Sequence, residues 1–117
     1  MLGLGDPALF LSLSNLVAKH GIKYFVESNT ANNFTGMDVA QRLGLHAFAR
    51  EPDSGVAVTL SQRCPDYDVY DGDVVSFFKE VLPKLDAPTF FWLSSEEERA
   101  VVEAESGERE FFFEMKP

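Results

Sequence analysis

The chain has 117 residues, 45% of them hydrophobic and 13% aromatic, enough for one packed domain and too apolar for a disordered chain. Ten Lys and Arg stand against 19 Asp and Glu, a net charge of −9. That balance opposes phosphate backbones and anionic membranes and steers the chain towards basic partners.

Asp6-Pro7 reads as an N-cap followed by proline at the first helical position, where its missing N–H costs nothing. Phe10, Leu13, Leu16 and Val17 then recur at helical spacing up to Gly21, which predicts the first helix. No Lys or Arg precedes this apolar run, so it lacks a signal peptide's basic start, and no stretch reaches 18 apolar residues. With one cysteine, Cys64, the expected setting is the reducing cytoplasm.

"IKYFVES" follows as a strand with Ile22, Tyr24 and Val26 on one face, and "NTANN" ends it. Thr35 is the expected cap of a second helix reaching Leu43, with Asp38 as its capping-box partner and Gly44 as its stop. "TGMDVAQRLGL" resembles the second helix of the helix-turn-helix DNA-binding motif. The recognition helix should then follow, but "HAFAREPDSG" carries Pro52 and Gly55 and reads as the start of a β-hairpin turning through residues 52–55. Together with the charge, this argues against direct binding of nucleic acid.

"PDYDVYDGD" brings Asp66, Asp68, Asp71 and Asp73 close in sequence, but the EF-hand spacing fails, with Tyr70, Asp71 and Phe77 at positions 5, 6 and 12. A polar loop leading into a helix start is the simpler account. Tyr67, Tyr70 and Asp71 in it suit contact with a basic, partly apolar surface. Val74, Phe77, Phe78, Val81 and Leu82 predict an amphipathic helix ended by Pro83, and "TFFWL" a strand apolar on both faces. Such a strand is either covered on both sides or leaves one face for a second subunit.

Ser94 and Ser95 each precede a glutamate by three residues, which favours a helix from there to Ser106-Gly107. The alternative is a hairpin turning at Ser106-Gly107, which would oppose Glu105 to Glu108 and Glu103 to Glu110. In the last strand Phe111, Phe113 and Met115 share the core face. The other face carries Glu108, Glu110, Phe112 and Glu114, because burying three glutamates to hide one Phe is too costly. Phe112 is therefore expected to face outward, an aromatic within an acidic ring, as at a hot spot for a cationic partner.

The order α-β-α-β-β-α-β-(α or β)-β, with its hairpin, predicts a single α+β domain over 1–117: a mostly antiparallel sheet with two to four helices packed on it. No nucleotide-binding glycine motif or Cys-x-x-Cys occurs, and His20, His46 and Cys64 each have a local explanation. Catalytic, cofactor and metal residues are thus expected to be none. The expected function is non-enzymatic: inhibition or neutralisation of a basic, nucleic-acid-processing type of protein, as immunity proteins, antitoxins and phage anti-defence inhibitors do. Phe112, Glu108, Glu110, Glu114, Tyr67, Tyr70 and Asp71 would form the partner surface. The alternatives are a homo-oligomeric accessory or structural domain, such as a homodimer, and a small-ligand pocket or enzyme near Tyr67 and Tyr70.

Overall fold

A computed structural model describes residues 7–28, 35–51, 56–59, 68–69, 73–107 and 111–116. Helix α1 (Pro7–His20) begins on its proline and stops where Gly21 turns to a φ of +68°, its N–H returning to the Val17 carbonyl. Strand β1 (Tyr24–Glu27) follows, then α2 (Thr35–Arg42), β2 (His46–Glu51) and β3 (Val56–Thr59). Thr35 is the first residue of α2 rather than its cap, and Asp38 pairs with Arg42 one turn on. The expected hairpin is present, with Glu51 opposite Val56. A two-residue strand, β4 (Asp68–Val69), precedes α3 (Val74–Val81), which continues as a 3₁₀ turn over Leu82–Lys84.

Strand β5 (Thr89–Leu93), helix α4 (Glu96–Ser106) and strand β6 (Phe112–Met115) complete the chain. Of the two readings of residues 95–105, the helix is the one that forms. Ser95 and Glu98 close a reciprocal capping box that satisfies donors at its start.

The sheet runs β4-β3-β2-β1-β5-β6. Its core, β2-β1-β5-β6, is entirely parallel, and only β3 and β4 add antiparallel pairs at one edge. The expectation of a mostly antiparallel α+β sheet is thereby corrected. The cause is the pair of helices α2 and α4: each lies between two adjacent strands, and a helical crossover returns the chain to run parallel. The fold is a doubly wound α/β sandwich.

Both faces of the sheet are covered. Tyr24, Val26, Phe48, Phe91 and Leu93 pack on one face with Phe77, Phe78 and Val81 of α3 and Val102 of α4. Phe25, Ala47, Ala49, Phe90 and Trp92 point the other way, onto Leu9 and Leu13 of α1 and Met37, Val39 and Ala40 of α2. All five residues of "TFFWL" are buried, so its second apolar face is consumed within the chain. Ile22 lies with the α1 and α2 cluster, because β1 starts only at Tyr24 and the expected alternation does not reach back to it.

Covering by α1 also changes the expectation for Phe112. Parity holds: Phe112 points away from Phe111 and Phe113, which pack with the α3 and α4 cluster. Exposure does not: Phe112 is half-buried, its ring centroid 4.4 Å from that of His20 at the end of α1. Glu114, beside it, accepts a 2.6 Å hydrogen bond from Ser12 of the same helix.

Candidate functional site

The chain leaves β1 towards β2 and leaves β5 towards β6, in opposite directions across the sheet. Adjacent strands that diverge in this way make a switch point, and in open α/β sheets ligands bind outside the carboxyl ends of such strands. Here those ends are Glu27-Ser28 and Leu93-Ser94-Ser95, joined where the Ser28 N–H donates to the Trp92 carbonyl at 3.2 Å.

Glu98 supplies the anion for the start of α4. Its buried Oε1 accepts from the Ser94 N–H at 2.5 Å, the Ser95 N–H at 3.1 Å and the Ser28 hydroxyl at 2.8 Å. Exposed amides of this kind otherwise receive a phosphate or carboxylate ligand. Beside it, Glu27 is 1% exposed, and its Oε2 accepts from Lys116 Nζ at 2.6 Å. That ammonium lies 4.9 Å from the Trp92 ring centroid, a cation–π contact. Burial pushes the Glu27 carboxyl above its ordinary value, while Lys116 and the Met37 N–H, which approaches the carboxylate, pull it back. No full hydrogen bond reaches Oε1, which has no partner among the described residues.

Gly36 makes this packing possible. A Cβ there would lie 2.5 Å from Trp92 Cε3 and 2.6 Å from Glu27 Oε1. The described part of the switch point is therefore filled by the protein's own groups, cation against anion and anion against amide.

At the opposite, amino edge of the sheet lies a cavity of 530 Å³. Phe91, Phe111 and Phe112 wall it, and His20, Asp86 and Ser106 contribute polar groups. The Tyr24 hydroxyl donates to Asp86 at 2.6 Å, fixing that carboxylate. The Ser106 hydroxyl has no partner among the described residues.

The third feature is helix α4, whose exposed residues include Glu96, Glu97, Glu103 and Glu105. Arg99 pairs with Glu96 at 3.6 Å and Glu103 at 3.0 Å while its guanidinium lies 4.3 Å from the Phe113 ring centroid.

Of the residues expected at a partner surface, Phe112 and Glu114 stand together on β6. Glu108, Glu110, Tyr67, Tyr70 and Asp71 lie outside the described residues, as does Cys64. Asp73, from the same acidic loop, is the N-cap of α3. The Ser76 N–H donates to it at 2.8 Å and holds its carboxyl below the ordinary value. His46 packs near Tyr24 and His20 against Phe112. Among the described residues no group of three His, Cys, Asp or Glu could hold a metal ion, and no helix is long and apolar enough to cross a membrane.

Sequence reasoning missed the pairs Glu27–Lys116 and Tyr24–Asp86, which lie 89 and 62 residues apart with no periodicity to link them. Compared with protein-family models, curated proteins and solved structures, the chain matches none.

Proposed function

We propose that this chain acts by binding: an acidic protein that occludes a basic protein partner, in the manner of immunity proteins, antitoxins and anti-defence inhibitors. The observation that carries the reading is helix α4, which exposes four glutamates, two of them, Glu96 and Glu103, paired with Arg99. The helix is anchored on the sheet through Val102 and held at its start by the Ser95–Glu98 box, so these carboxylates sit on a rigid support. Fixed charges of one sign accelerate encounter with an oppositely charged surface and set its orientation.

The filled switch point supports the same reading. Where a doubly wound enzyme would bind substrate, Glu98 and Lys116 are already committed to partners within the chain. The net charge of −9 disfavours direct contact with nucleic acid, so a nucleic-acid-processing partner would be blocked on its own basic surface. A single cysteine fits a cytoplasmic setting. Half-buried Phe112 and Glu114 face α1 on the other side of the sheet, so this contact would not include them.

The test is the salt dependence of association with a purified partner. The proposal expects the association rate to fall steeply with ionic strength, and the variant Glu97→Lys/Glu103→Lys/Glu105→Lys to abolish that dependence. An association rate indifferent to both salt and charge reversal rejects it.

A further inference from the structure

The cavity at the amino edge has a chemistry of its own, separate from the exposed glutamates of α4. Phe111 and Phe112, both partly exposed, line it together with the buried Phe91, and aromatic rings are electron-rich on their faces. Phe91 and Phe111 meet edge to face, with centroids 5.7 Å apart and planes at 88°, which fixes both rings. Its volume of 530 Å³ falls within the usual range for small-molecule sites, about 300–1,000 Å³.

Charge at the cavity is predominantly negative. Asp86 supplies a carboxylate held in place by the Tyr24 hydroxyl. His20 and Ser106 are the last residues of α1 and α4, so two helices of 14 and 11 residues bring their carbonyl ends to the cavity. Each such end carries a partial negative charge. The one basic group among the lining residues is His20, whose ring lies tilted by 32° against Phe112. Ser106 adds a hydroxyl with no partner among the described residues, which rotation about its Cα–Cβ bond could offer to a ligand.

From this geometry we infer that the amino-edge cavity is a binding site for a small aromatic cation, a planar ring bearing an amidinium, guanidinium or ammonium group. The ring packs against the partly exposed Phe111 and Phe112, and the cationic group meets the Asp86 carboxylate and the carbonyl ends of α1 and α4. The site goes beyond the proposed partner surface and does not depend on it.

The experiment is a titration of the full chain with benzamidine, followed by amide NMR shifts and calorimetry. Benzamide, neutral and of nearly the same shape, is the control, and Nα-acetyl-arginine amide represents a side chain from a protein. Benzamidine should bind saturably and move the amides of Ala87, Thr89 and Phe111, with benzamide weaker by about tenfold. Asp86→Asn keeps an oxygen for the Tyr24 hydroxyl, so the fold is expected to hold, as an unchanged melting temperature would verify. It should reduce benzamidine affinity to that of benzamide while leaving capture of a basic protein partner intact.

Three results would overturn the assignment: no saturable benzamidine binding, equal affinity for benzamidine and benzamide, or an Asp86→Asn variant that binds benzamidine as well as the parent. Tighter binding of the arginine derivative would assign the cavity to a protein side chain and reject the small-molecule reading.

Discussion

Replacing Lys116 by methionine removes the ammonium from a carboxylate that is 1% exposed and keeps an apolar stem of similar length. The ion pair spans 2.6 Å, and at an effective dielectric of about 20 its attraction is about 6 kcal/mol. Part of that was offset by desolvating Lys116, which is 20% exposed, and part is recovered because Glu27 can take up a proton instead. The expected net loss near neutral pH is about 3–5 kcal/mol, the usual range for a buried pair broken on one side.

The loss should also depend on pH. Burial already raises the Glu27 carboxyl above its ordinary value of 4.5 in the folded chain. A group raised in this way contributes stability that is complete below the unfolded value and is lost as pH rises through the folded value. Removing Lys116 raises the folded value further, so the variant's deficit should be small at about pH 5 and widen towards about pH 8.

Urea unfolding followed by fluorescence of the chain's single tryptophan, Trp92, measures this directly, since Lys116 lies against its ring. Adding Glu27→Gln to Lys116→Met removes the unpaired charge and should restore most of the lost stability. A deficit below about 1 kcal/mol that is the same at both pH values would refute the buried-pair account.

Two further substitutions test the same region. Gly36→Ala places a Cβ against Trp92 and Glu27 and should destabilise by about 1–3 kcal/mol, despite alanine's better helix propensity, in a thermal or urea unfolding experiment. Ser95→Ala opens the capping box of α4 and should cost about 1 kcal/mol, with faster hydrogen exchange in the first turn of that helix.

Elements whose signals are local were legible in the sequence. Pro7 and Gly21 mark the bounds of α1, the Phe77-Phe78-Val81 pattern marks α3, and the serine–glutamate spacing marks α4. Strand pairing was not legible, because periodicity says which face a residue takes and not which strand lies beside it. "TFFWL" did carry a trace of the answer: a strand apolar on both faces belongs in a sheet covered on both sides, as parallel sheets are. The hairpin drew attention to antiparallel pairing, yet it forms only the edge of the sheet.

Phe112 shows the same limit at the level of one residue. Alternation correctly separated it from Phe111 and Phe113. That α1, about a hundred residues earlier, lies over its face follows from tertiary packing alone, as the Ser12–Glu114 hydrogen bond records. The candidate sites follow this pattern: the glutamates of α4 stand in the sequence, yet the partner surface was expected around Phe112, and the switch-point charges and the amino-edge cavity exist only once distant strands are adjacent.

The proposed function is tested most directly by affinity purification from the native host at low salt, with the parent chain beside Glu97→Lys/Glu103→Lys/Glu105→Lys. The parent should retain a basic protein that moderate salt releases, and the variant should not retain it. Identical retention by both chains, or retained proteins with no excess of basic charge, would contradict it.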